Sequence, residues 1–196
     1  MNQIQLANEL IALLQRSGEF DSVELVGSVA DSSSDEYSDI DLLVANGNRT
    51  YFENVIIASE LIKQQHEVAF TDSAGSLLPD KCLMNIFLRN ISPFWWIDIS
   101  CICTERDEPI ERDELDVEEN EHAAKLWVMN AKYHFRQDPS RITLPTLYSR
   151  AFPKAEMPTE VQTVFEDLYN AIDWSQLEYG FARDCVKIKN KLLKSG

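Results

Sequence analysis

The 196 residues carry 33 acidic against 18 basic side chains, a formal charge of −15, with 44% hydrophobic and 10% aromatic residues. That length and apolar content suit one compact domain with an appendage, or two small domains. The charge argues against a nucleic-acid partner gripped through its phosphates, and no stretch approaches the ~20 consecutive apolar residues of a membrane span; small cations and metal ions are what such a field concentrates.

In chain order, Ile4, Ala7, Leu10, Ile11 and Leu14 make one helical stripe over residues 3–16, and Gly18 stands where a helix stops. The start lacks the basic leader and continuous apolar block of a secretion signal. Cys82, Cys101, Cys103 and Cys185 form no CxxC pair, which predicts reduced, structural thiols and a cytoplasmic address. Ser22 to Val26 is a short β-prone run, residues 27–38 are small and polar, and Ile40 to Ala45 is again strand-like. Asn46-Gly47-Asn48 turns the chain. Helical period returns from Thr50 to Gln65 through Phe52, Val55, Ile56, Ser59 and Ile62, with Thr50 as N-cap and Glu53 as its capping-box partner.

Leu83 to Leu88 and Phe94 to Cys103 read as two strands joined by the turn-rich Arg89-Asn90-Ile91-Ser92-Pro93, an antiparallel hairpin. From Glu105 to Glu121 ten of seventeen positions are acidic, which marks a boundary and predicts domains over 1–108 and 109–196. Beyond it Ala123 to Gln137, Pro158 to Ile172 and Trp174 to Leu193 read as helices, with Pro139, Pro145, Pro153 and Pro158 punctuating the stretch between the first two. The layout is an α/β half followed by a helical half.

Chemistry concentrates in residues 26–44. In a strand, Asp39 and Asp41 project to one side while Ile40 and Leu42 project to the other. Two like charges a few ångströms apart cost about 1 kcal/mol in water and about 4 kcal/mol at an effective dielectric near 20, so a partly sheltered pair calls for a proton or a cation. A hard, oxygen-seeking ion such as Mg²⁺ answers that need. Taken alone, an Asp-x-Asp is most often a solvated strand start. Eleven residues before Asp39, however, Gly27-Ser28 ends a strand. There it can offer backbone N–H groups and a hydroxyl to phosphate oxygens, with no Cβ at Gly27 to block them. In Trp95-Trp96-Ile97-Asp98-Ile99-Ser100-Cys101, alternation sets Trp96, Asp98 and Ser100 on one face and Ile97, Ile99 and Cys101 on the other. Asp98 is thus either a solvent-facing strand acid or the third carboxylate of a metal site.

Gly27-Ser28, Ser38-Asp39-Ile40-Asp41-Leu42 and Asp98, in that order and strand context, resemble the motif of the DNA-polymerase-β-like nucleotidyltransferase superfamily. Within it the arrangement is similar to the antibiotic (aminoglycoside and lincosamide) and minimal nucleotidyltransferases. The resemblance covers residues 20–103, about two fifths of the chain. One departure is that Val29-Ala30-Asp31-Ser32 replaces the base, Ala, Arg and Gly that members commonly carry, which removes positive charge near the triphosphate.

The resemblance implies an α/β domain with a mixed sheet, then a helical domain. It also implies transfer of a nucleoside monophosphate from an NTP, taken as ATP, to a hydroxyl of a small acceptor such as a cationic antibiotic, with pyrophosphate released. In that scheme Gly27 and Ser28 bind the nucleotide, Asp39 and Asp41 bind both nucleotide and metal, and Asp98 completes the sites of two Mg²⁺ ions. Asp98 or an acid elsewhere, Glu105, Glu119 or Glu121, takes the hydroxyl proton. Two alternatives remain: an antitoxin of the minimal type that nucleotidylates a protein partner, and an inactive nucleotide-binding module. The oligomeric state is open.

Glu119 to His122 has a Glu-x-x-His spacing, but in an acidic run it reads as a solvated helix start that favours the macrodipole. Trp127, Tyr133 and Phe135 read as core, and Lys125, Lys132 and Arg136 as a solvated face.

Overall fold

The computed structural model describes residues 2–73, 81–102 and 118–194, which form two compact units, 2–89 with 95–102 and 90–94 with 118–194. The boundary expected at residue 108 lies outside the described residues, as do Glu105 and Cys103.

The first unit is an α/β layer. Helix α1, Gln3–Ser17, opens with a reciprocal cap: Asn2 accepts from the Gln5 N–H and Gln5 returns a bond to the Asn2 backbone. It stops at Gly18, whose φ of 71° is the left-handed conformation that glycine adopts without strain. Leu6, Ala7, Leu10 and Leu14 form its buried stripe, so Leu6 takes the place expected for Ile4, which is exposed. Strand β1, Ser22–Val26, leads directly into a single helical turn, α2, Gly27–Ala30, then β2, Ile40–Ala45. Helix α3, Tyr51–Gln65, begins with the Thr50–Glu53 capping box read from the sequence. Strands β3, Val68–Ser73, β4, Lys81–Leu88, and β5, Ile97–Ile102, complete a five-stranded sheet in the order β1-β2-β5-β4-β3.

The sheet is mixed. Strands β1 and β2 run antiparallel, β2 and β5 parallel, and β4 runs antiparallel to both β5 and β3. Ile40, Leu42, Val44, Ile97, Ile99, Met84 and Ile86 share one face and are buried there under α1 and α3. Burying such side chains contributes about 1.5–3 kcal/mol each relative to exposure, which fixes the register: a one-residue slip would send that whole set to the other face. The second face is held at one end by stacked Phe70 and Phe87 rings, 4.4 Å between centroids, with Trp96 tilted against Phe87 at 5.8 Å.

The second unit is helical: α4, Glu119–Phe135, α5, Leu144–Ala151, α6, Val161–Ala171, and α7, Tyr179–Lys194. Trp127 is its fully buried anchor. Its indole N–H donates to the Phe165 carbonyl at 3.0 Å, and its ring meets those of Phe165, Tyr169 and Trp174. Lys125 and Lys132, expected on a solvated face, are buried on α4. Asn120 ties the start of α4 to the end of α6 through two 2.9 Å bonds with the Asp173 backbone. No helix among the described residues is long and apolar enough to cross a membrane.

Candidate active site

The site is built by register. Val26 pairs with Asp41 across β1 and β2, and Asp41 pairs with Asp98 across the parallel β2 and β5. Residues directly opposite in adjacent strands project to the same face, with the strands about 4.7–4.9 Å apart, so the two carboxylates meet on the face opposite α1 and α3. Asp39 precedes β2 rather than lying within it. The backbone is already aligned there, because the next residue, Ile40, donates its N–H to the Trp96 carbonyl at 3.0 Å. Asp39, Asp41 and Asp98 each present a carboxylate oxygen within 4.8 Å of those of the other two, and all three are half-buried.

The loop that delivers Asp39 is locked by its own side chains. Asp35 accepts from the Tyr37 N–H at 3.0 Å, and Ser38, fully buried, donates its hydroxyl to the Asp35 carboxylate at 3.0 Å while accepting the Asp35 N–H. Gln3 of α1 donates to the carbonyls of Asp35 and Ser38, and the Trp95 indole donates to the Glu36 carbonyl at 3.1 Å. An Asx turn of this kind replaces the ladder hydrogen bonds that the loop lacks.

Gly27 follows Val26, the partner of Asp41, and therefore sits against that carboxylate. Its φ is 70°, and a Cβ there would overlap Asp41 Oδ2 and lie 3.0 Å from Asp41 Cγ. Both conformation and space require glycine. The small, polar segment after β1 opens directly into the α2 turn, with the Asp31 N–H bonded to the Gly27 carbonyl at 3.1 Å and Val29 buried beneath it. Ser28 is half-buried at its start.

Three acceptor-only carboxylates gathered at this distance repel one another unless a cation or proton intervenes. The donor set is all oxygen, which fits a hard divalent ion such as Mg²⁺ or Mn²⁺ and not a thiolate-seeking metal. Among the described residues, Asp39, Asp41 and Asp98 are the one group of three so placed. Glu119 and Glu121 belong to the first turn of α4 in the second unit.

Two polar residues on the same face escape sequence reading. Asn85 of β4 lies opposite Asp98, donates Nδ2–H to Asp98 Oδ1, and is 4% exposed. Asp72 of β3 lies opposite Asn85 and is 3% exposed. The available signal was an amide alone in Leu83-Met84-Asn85-Ile86-Phe87, where alternation gives it the face of Leu83 and Phe87.

No family model matches the chain, and no curated protein matches it. Among solved structures, a chain of the non-canonical poly(A) polymerase complex GLD-2–GLD-3 is similar to it, with a TM-score of 0.38 and 13% identity. The match covers 81% of this chain and 47% of that one, so this chain spans about half of that neighbour's length.

Proposed function

We propose that the chain is a metal-dependent nucleotidyltransferase of the polymerase-β type, moving a nucleoside monophosphate from ATP to a hydroxyl of a small acceptor. The observation that carries this reading is the Asp39–Asp41–Asp98 cluster, whose carboxylate oxygens lie within 4.8 Å of one another on one sheet face. Gly27, pressed against Asp41, supports it, because the turn that would take the phosphates then lies directly beside a carboxylate that would hold the metal.

Asp39, Asp41 and Asp98 would hold two divalent ions. Bound there, such ions neutralise the triphosphate and lower the pKa of the acceptor hydroxyl. Gly27 and Ser28 orient the triphosphate through backbone N–H groups and the hydroxyl. The acceptor oxygen forms a bond to the α-phosphorus as the bond to the β-phosphate oxygen breaks, and pyrophosphate leaves. The hydroxyl proton passes to the Asp98 carboxylate. Holding the reactants in line is a further contribution that the protein would make.

The test is incubation with Mg²⁺ and ATP labelled at the α-phosphate, against a panel of small alcohols and aminoglycoside- and lincosamide-like acceptors, and separately against co-expressed protein partners. Label on a small acceptor supports the reading. Label only on a protein would reassign the chain to the antitoxin class, and no label anywhere, with the three carboxylates intact, would leave an inactive module.

A further inference from the structure

Across four adjacent strands one register row reads Asp41, Asp98, Asn85, Asp72, all on the same face. The row places a neutral amide between two carboxylates. Asn85 carries two N–H donors and one acceptor oxygen, whereas an ionised Asp is acceptor-only. An amide can therefore satisfy a carboxylate without adding positive charge. A lysine or arginine in its place would compete with a divalent ion for Asp98, and an aliphatic side chain would leave Asp98 Oδ1 without the donor that Asn85 now supplies. Asn85 is itself clamped, since it is 4% exposed in the sheet between β5 and β3. Its amide is held in place by packing before any ligand arrives.

We propose that Asn85 is the positioning residue of the acidic cluster: through its Nδ2–H to Asp98 Oδ1 it sets the orientation of the Asp98 carboxylate, and so the affinity of the cluster for a divalent ion. The inference rests on the metal-binding part of the proposed function. Physically, an Asp98 that lacked this bond would have more side-chain freedom to surrender when an ion binds, whereas one already bonded to a buried donor has surrendered part of it on folding. Groups that orient a metal ligand from behind typically govern affinity or activity by about 10- to 100-fold.

The experiment is calorimetric titration of Mn²⁺ into the metal-free protein without nucleotide, for the wild type, Asn85→Val and Asn85→Thr. Valine and threonine share shape and strand preference and differ in one hydroxyl donor. Thermal unfolding in EDTA reports the fold of each variant separately. Asn85→Val is expected to bind Mn²⁺ about 10- to 100-fold more weakly, and Asn85→Thr, whose hydroxyl reaches one bond less far than the amide, to recover part of that loss. Should Asn85→Val fail to fold, Asn85→Ala against Asn85→Ser makes the same comparison at smaller volume. Wild-type affinity in the donor-less variant, or equal loss with and without the hydroxyl, would overturn the positioning role while leaving the metal site standing. Absence of Mn²⁺ binding in the wild type would instead overturn the metal reading on which the inference rests.

Discussion

At residue scale the account turns on Gly27 and Asp41. A left-handed φ costs a residue with a Cβ about 1–2 kcal/mol, and at Gly27 the added carbon would also displace the Asp41 carboxylate. Gly27→Ala is therefore expected to lower the unfolding midpoint by several degrees, on the scale of about 2–4 °C per kcal/mol for a chain of this size, and to weaken divalent-ion binding together with nucleotide binding. Equal Mn²⁺ affinity in wild type and Gly27→Ala, measured by calorimetry, would contradict the close approach. Asp41→Asn should separate function from stability. Neutralising one of three clustered carboxylates relieves repulsion, so the variant is expected to unfold at the same temperature or slightly higher in EDTA, while label transfer from ATP disappears. Unchanged turnover would remove the carboxylate mechanism. The Gly27-Ser28 and Asp39-x-Asp41 pairs are legible as candidates because the ordinary explanation of each weakens when the two occur together. Asn85 was not, since an amide in a strand carries no signature until its partner across the sheet is known.

At element scale, end signals were easier to read than polar interiors. The Thr50–Glu53 box and the Gly18 stop are local chemistry, and both stand where the sequence puts them. Strand β3 carries little signal because Val68-Ala69-Phe70-Thr71-Asp72-Ser73 offers a thin apolar pattern; its Asp72 is buried on a polar row, not solvated, and a row shared by four strands is invisible in any one of them. Helix α5 is hidden in the sequence by Pro145, which looks like a break but falls in the first helical turn, where no intrahelical N–H bond is lost. Helix α4 starts at Glu119, earlier than its apolar period, since acidic residues favour the first turn.

Helix α4 also carries a pH prediction. His134 is half-buried, its ring lies 5.5 Å from that of Phe165, and burial holds its pKa below the ordinary imidazole value of 6.5. The unfolded chain thus binds the proton more readily than the folded one. The contribution of His134 to stability is present above about pH 6.5 and is lost as pH falls through its depressed folded pKa. Unfolding midpoints between pH 7.5 and pH 5 should fall less in His134→Gln than in the wild type; parallel curves would show that His134 does not contribute.

At the scale of the whole molecule, the α/β half followed by a helical half was legible because hydrophobic period changes from 2 to 3.6 along the chain. The strand order was not, since it depends on pairings distant in sequence: β2 with β5 lies across α3, β3 and β4. The helical unit carries no motif that local sequence alone assigns to a function. Charge is the whole-molecule property with a direct consequence. With −15 overall, a cationic acceptor should be steered to the protein, and kcat/KM for it should fall as salt shortens the Debye length from about 10 Å to about 3 Å. A neutral acceptor should show little change with Mg²⁺ saturating throughout, and a flat profile for both would leave the charge as a solubility feature.

On the proposed function, Asp39, Asp41 and Asp98 together hold divalent ions beside the Gly27–Ser28 turn. Anomalous diffraction from crystals grown with Mn²⁺ and a non-hydrolysable ATP analogue tests it most directly. The account predicts two anomalous peaks among these three carboxylates, with the triphosphate of the analogue reaching Gly27 and Ser28. Ordered analogue with no Mn²⁺ peak at the cluster, or Mn²⁺ bound only by other residues, would contradict it.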